Sequence, residues 1–142
     1  MSLYCSVQTK FKDQEALIKA LLECKNANGR FFTLQDIEIH EVPQNMIGYQ
    51  GDKRKEKANI IIRRQNVGSA SNDIGFVRNE NGEFVAIISE YDRSYYSESW
   101  VGQLKQNYCY YVIKNRQGKK GRTIKREKLN NGNQRIIIQD IR

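Results

Sequence analysis

Few side chains in this sequence are suited to chemistry, and they are poorly spaced for it. His40 is the sole histidine. To act as a general base it would need a Ser or Cys beside it in space, and no local spacing supplies one, so it reads as an ordinary strand residue. Cys5, Cys24 and Cys109 are odd in number and far apart, which fits neither a zinc knuckle nor a disulfide framework. They are expected to be reduced, buried small hydrophobes in a reducing compartment. Glu90 and Asp92 bracket Tyr91 just beyond a strand-like run. Paired carboxylates there suit acid–base work, and they equally suit a solvated loop. The GYQG run at 48–51 has neither the spacing nor the flanks of a dinucleotide fingerprint, and no glycine-rich loop leads into Lys-Ser or Lys-Thr. No catalytic residue, metal ligand or cofactor is assigned.

Charge and aromaticity carry more information. The formal net charge of the 142 residues is +8. From residue 105 onward eleven Lys or Arg stand against two acids, whereas residues 1–104 hold thirteen bases and fourteen acids. The surplus therefore belongs to the C-terminal end and is densest over 114–128, in Lys114, Arg116, Lys119, Lys120, Arg122, Lys125 and Arg126. Such a patch attracts polyanions, whether nucleic acid, an acidic protein or an anionic membrane. Arg135 is a candidate neighbour. Tyr91, Tyr95, Tyr96 and Trp100 fall within ten residues, followed by Tyr108, Tyr110 and Tyr111. Aromatics beside a basic segment suit base stacking or a protein interface, or a loop that packs back over the sheet. Tyr95, Tyr96 and Trp100 are the expected apolar contact beside the basic surface.

The elements that must position these residues read as follows. A strand over 3–11 places Leu3, Cys5, Val7 and Thr9 on one face. Asp13 caps a helix over 14–26 with an apolar stripe of Ala16, Leu17, Ala20, Leu21 and Cys24. A strand carrying Ile37 and Ile39 ends or bends at Pro43. Residues 48–57 are a charged, turn-rich connection, and 58–64 a β-branched strand. A polar loop over 65–72 precedes the chain's clearest local signal, a hairpin of 73–78 and 83–90 about the NENG turn. A second helix over 100–115, capped by Ser97 or Ser99, buries Val101, Leu104, Tyr108, Tyr111 and Val112. A terminal hairpin, 123–129 with 134–141, points Ile136 and Ile138 inward and Ile137 outward. The expected fold is a single α+β domain over 1–142: an antiparallel sheet with two helices on one face, ferredoxin-like or a variant of it. Neither a membrane span nor a secretory leader is expected, since the apolar runs are only a few residues long.

The MSLY start, GYQG at 48–51, DIGF at 73–76, FVAIISEYD at 84–92 and the 100–111 run with its YCYY together resemble a known family. It is the conserved hypothetical protein of cyanobacterial and algal plastid genomes, with bacterial relatives, a domain of unknown function. The resemblance implies a cytoplasmic or chloroplast-stromal protein and brings no catalytic residues. Bacterial relatives stand near genes for a small companion protein and an AAA-type ATPase, which implies assembly into a larger system. The chain departs from the pattern in a more basic C-terminal third and in Leu3, where His is common. The leading expectation is thus a non-enzymatic binding or adaptor domain whose basic surface engages an acidic protein partner or a larger assembly. Direct RNA or DNA binding is the alternative, and a small enzyme with a cleft lined by Glu90, Asp92 and His40 comes third.

Overall fold

The computed structural model describes residues 4–131 and 133–140, with 4–9 and 140 described by their backbone alone. The expected orientations of Leu3, Cys5, Val7 and Thr9 lie outside that description. The elements run β1 (Tyr4–Phe11), α1 (Gln14–Leu21), β2 (Ile37–Ile47), β3 (Lys53–Ile62), α2 (Arg64–Val67), β4 (Ile74–Arg78), β5 (Phe84–Ser89), α3 (Glu98–Gly118), β6 (Arg122–Lys128) and β7 (Gln134–Asp140).

Strands β1 to β5 form one sheet in the order β1-β5-β4-β3-β2, with every neighbour antiparallel. The stripes of α1 and α3 cover one face. Ala16, Leu17, Leu21, Val101, Leu104 and Tyr108 pack there on Phe11, Ile60, Ile62, Phe76, Phe84, Ala86 and Ile88. This is the expected α+β arrangement with two differences. A third helix, α2, is a single turn within the expected polar loop. The strands after α3 form a separate two-stranded sheet, so a second β-α-β half that would complete a ferredoxin-like sheet is not made.

Local chemistry sets the boundaries. The Asp13 carboxylate accepts from Ala16 N at 3.0 Å, the expected cap of α1. That helix stops short of the expected residue 26: its last turn tightens, with Glu23 N donating to Ala20 O and Cys24 N to Leu21 O at 3.2 and 3.0 Å, and beyond it the loop is held by the Asn26 side chain. Its Oδ1 accepts from Asn28 N at 2.9 Å and Arg30 N at 3.0 Å. Helix α3 is capped by Ser97, whose side chain accepts from Trp100 N, and it overruns the expected range at both ends. The Tyr108 hydroxyl accepts from Lys12 N and Asp13 N at 2.8 and 2.9 Å, tying α3 to the start of α1.

The charged 48–57 segment is a turn only in its first half; from Lys53 it is strand β3. Its lysines alternate outward while Arg54 and Glu56 are half-buried, which one solvated face permits. Strand β2 passes through Pro43 with register shifts between Ile39 and Gln44 and between Asn45 and Ile47, as a proline on an edge strand requires. The far half of the β2–β3 hairpin then folds across β4. Asp73 N donates to Ile47 O at 3.0 Å, and Met46, Ala58, Ile61 and Ile87 close a second, smaller core.

Gly75 makes that closure possible. A Cβ there would stand 2.6 Å from Ala58 Cβ and 2.7 Å from Met46 Sδ. Gly75→Ala should therefore destabilise the fold by roughly 1–3 kcal/mol through overpacking, seen as a lower midpoint in urea denaturation. An unchanged midpoint would mean that the β2–β3 hairpin does not press on β4.

Candidate binding surface on the C-terminal helix and hairpin

Three of the motifs that carried the family resemblance, GYQG, DIGF and FVAIISEYD, meet in one polar network that is buried at Asn72, Asp73, Ser89 and Asp92. The Asp73 carboxylate, fully buried, accepts from Arg63 Nη1 at 2.8 Å, Arg64 N at 2.7 Å and Ile47 N at 2.7 Å. Arg63 also grips Glu38 through two nitrogens at 2.8 and 2.9 Å, and His40 Nε2 lies 2.8 Å from the same carboxylate. Hydrogen bonds from Arg63, then from His40, hold Glu38 below the usual carboxylate range against some desolvation. Next to it, Asp92 Oδ2 accepts from Ser89 Oγ at 2.7 Å and Asn72 N at 3.0 Å, while Asn72 Oδ1 accepts from Tyr49 N at 2.9 Å. These groups satisfy one another and fix the loops at this end of the sheet. His40, Glu90 and Asp92 make no described contact with one another: Asp92 is buried, Glu90 exposed and His40 bound to Glu38. Among the described residues no group of three or more His, Cys, Asp or Glu is placed to hold a metal ion.

The aromatic loop is a clamp. Tyr96 is 1% exposed; its hydroxyl donates to Val67 O at 2.6 Å and accepts from Ala27 N at 3.1 Å. Burial pushes that hydroxyl's pKa up, so it stays neutral. The Tyr95 hydroxyl and Trp100 Nε1 both donate to Lys25 O, at 3.3 and 3.1 Å. Of the three aromatics expected at a contact surface, Tyr96 is inside the core, Trp100 is half-buried against it, and Tyr95 keeps an exposed face.

The basic residues lie on the second half of α3 and on the β6–β7 hairpin that runs back along it. Arg126 faces inward. Its guanidinium holds Glu23 at the end of α1 through Nη1–Oε1 at 2.8 Å and Nη2–Oε2 at 3.1 Å, and lies 4.0 Å over the Tyr110 ring. The Tyr111 hydroxyl donates to the same carboxylate. Desolvation works against the Glu23 charge, but the bonds from Arg126 and Tyr111 outweigh it and leave the carboxyl below its ordinary 4.5. Burial, then Glu23, pushes Tyr111 up to about 12. Gln134 Nε2 donates to the buried Asn107 Oδ1 at 2.8 Å, a second pin. Arg122 donates to Gln117 Oε1 at 2.7 Å. Lys114, Arg116, Lys119, Lys120 and Lys125 are exposed, with Lys114 Nζ 5.8 Å from the Tyr110 ring centroid. Lys114, Lys119 and Arg122 border a shallow groove of about 560 Å³.

Sequence reading joined the aromatics and the cations into one surface; the helix separates them. At 1.5 Å per residue, Trp100 and Lys119 stand roughly 25–30 Å apart along α3. The cations that line a groove with Trp100 are Lys25 and Lys128, in a groove of about 500 Å³ between α3, the 25–31 loop and the hairpin turn that Glu23 also lines. Glu23 was missed as the hairpin's anchor, since its partner lies 103 residues away and local spacing carries no trace of it. Two cysteines are free thiols: Cys24 is buried, as expected, and pushed up to about 12 by desolvation, whereas Cys109 is exposed, a correction to its expected burial. Ile138, expected to point inward, is 44% exposed.

Because the folded Glu23 carboxyl sits below 4.5, its contribution is complete above that value and lost as pH falls through the folded one. Glu23→Gln should cost the hairpin about 1.5–3 kcal/mol, read as faster amide exchange over Arg122–Lys128 with the main sheet still protected. Acid should speed the same amides in the parent chain before it unfolds the core. Equal protection in variant and parent would show that the pin does not hold the hairpin.

A family model described as "Protein of unknown function (DUF1257)" matches residues 33–137, from the approach to β2 through most of β7. The uncharacterized protein ycf35 of Cyanophora paradoxa is 30% identical over 141 residues, covering 98% of this chain and 97% of that one. No solved structure matches the chain significantly. The resemblance carried by the short motifs is borne out: the chain belongs to the DUF1257 family of proteins of unknown function.

Proposed function

We propose that this protein is a non-enzymatic binding or adaptor domain that presents the basic end of α3 and the β6–β7 hairpin to an acidic protein partner. The observation that carries this reading is the division of labour among the cations. Arg126 is spent inward on Glu23 and Tyr110, while Lys114, Arg116, Lys119, Lys120 and Lys125 are exposed, and the 114–128 stretch that carries them holds one acid, Glu127. Glu127 itself lies 3.6 Å from Arg135, both exposed, a contact of little energetic weight. Like charges held together by a pinned scaffold attract an oppositely charged surface and set its approach.

An acidic protein is favoured over nucleic acid because two of the three aromatics expected at the contact are committed elsewhere. Tyr96 is core and Trp100 is bound to Lys25 O, which leaves Tyr95 alone with an exposed ring, and Tyr110 lies under Arg126. An AAA-type ATPase assembly is the partner class that the family resemblance suggests. The setting we propose is the cytoplasm, or the chloroplast stroma for a plastid-encoded member. No described helix is long and apolar enough to cross a membrane.

The test compares poly-glutamate, single- and double-stranded RNA and DNA as ligands across a salt series, with a Lys119→Gln, Lys120→Gln, Lys125→Gln variant beside the parent. These side chains are exposed, so the variant should fold normally. The expected result is salt-sensitive poly-glutamate binding, weakened at least about tenfold in the variant. Nucleic acid held more tightly than poly-glutamate near physiological salt would replace this reading with the nucleic-acid one. An unchanged affinity in the variant would remove the ridge as the site.

A further inference from the structure

The sheet edges of this protein are guarded unequally. An edge strand offers unpaired backbone N–H and C=O groups, and proteins blunt such edges with bulges, prolines or charge. Edge β2 carries Pro43 and two register shifts, and edge β1 has a shift between Val7 and Phe11. Edge β6 is RTIKREK, charged along its length. Strand β7 has no proline, and its charged residues, Arg135 and Asp140, stand only toward its two ends. It pairs with β6 over seven residues without a shift, and among the described residues nothing pairs with its other side.

Its sequence is that of an interior strand. Ile136, Ile137 and Ile138 are consecutive, so both faces are apolar, the pattern of a strand covered on both sides. Here Ile136 and Ile137 are half-buried and Ile138 is 44% exposed. A two-stranded sheet is marginal by itself and gains from a further strand.

We propose that the free edge of β7 accepts an extended segment of the acidic partner as a third strand, a β-augmentation. The inference rests on the binding reading above and specifies how the partner docks. Register and charge define that segment. Residues opposite one another in an antiparallel pair share a face; Ile124 opposes Ile138 and Arg126 opposes Ile136 on the side that carries the Glu23 pin. Lys125 opposes Ile137 on the other side, where Arg135 also lies. A strand added to β7 therefore meets an apolar pair, Ile136 and Ile138, on one face, and on the other Arg135 beside Ile137, with Lys125 and Glu127 behind them on β6. The matching segment alternates apolar with acidic residues. A second copy of this chain is the poorer occupant, because it would bring together two C-terminal ends that each carry eleven bases against two acids.

The test uses a ten-residue peptide alternating Glu and Val, and its twin N-methylated at alternate residues on one edge. The twin keeps charge and side chains but loses one edge's hydrogen-bond donors. Both edges are methylated in turn, so that whichever edge meets β7 is covered. One twin should bind at least about tenfold more weakly than the parent peptide. Ile138→Lys, an exposed substitution that adds attraction for an acidic ligand, should weaken the parent peptide too. Equal binding by all three peptides, or tighter binding to Ile138→Lys, overturns strand addition. If poly-glutamate binding is still lost in the triple Lys→Gln variant, the basic-ridge reading survives that outcome. A dimer at micromolar concentration in sedimentation, abolished by Ile138→Lys, overturns the proposal in favour of a second copy.

Discussion

Helix α3 is one unbroken rod of 21 residues, and the rest of the molecule is arranged around the difference between its two halves. The first half buries Val101, Leu104, Asn107 and Tyr108 against α1 and the sheet. The second half keeps Tyr111 and Val112 against the core edge and then runs out beside the β6–β7 hairpin. A two-stranded hairpin is unstable alone, so it must be fastened to something rigid. Arg126 does this by reaching Glu23 in the turn after α1 while covering Tyr110 on α3. One guanidinium thereby joins three elements. A bidentate, half-buried pair of this kind matters more than the exposed contact between Arg135 and Glu127.

Fastening the hairpin has a functional consequence. The inward-facing charge of Arg126 is neutralised, and the outward-facing lysines remain fixed in position on a scaffold. Flexible cations would still attract acids, but a fixed array limits the orientations in which a partner can approach. Strand β7 is held at the outer side of the same scaffold, next to those charges.

Periodicity exposed much of this fold. The Asp13 cap, the stripes of α1 and α3, the NENG hairpin and the terminal hairpin were all legible, because each is encoded within a few residues. The strand character of 53–57 was not, since alternating Lys with half-buried Arg54 and Glu56 resembles a charged loop until its partner strand is known. The site was legible only in part. Composition located the basic end, yet it gave no means of telling Arg126, which is internal, from Lys125, which is exposed. That distinction depends on strand parity relative to α3. The aromatic cluster misled for a similar reason. Tyr96 and Trp100 clamp the 25–31 loop, Tyr96 by accepting from Ala27 N and Trp100 by donating to Lys25 O, contacts 69 and 75 residues distant in sequence.

Three of the motifs that carried the family resemblance have a structural explanation of their own. Tyr49, Asp73, Ser89 and Asp92, together with the neighbouring Asn72, lie in the polar network at one end of the sheet, whereas the exposed lysines lie on α3 and the hairpin. Residues that hold the fold together and residues that would meet a partner are thus largely separate, so the surface can change without disturbing the polar network.

Amide hydrogen exchange across the whole chain, with and without saturating poly-glutamate, tests the central claim most directly. The account predicts added protection in the turn after α3 and in β6 and β7, with the main sheet and the 25–31 loop unchanged. Protection confined to the aromatic loop, or none anywhere at saturation, would contradict it.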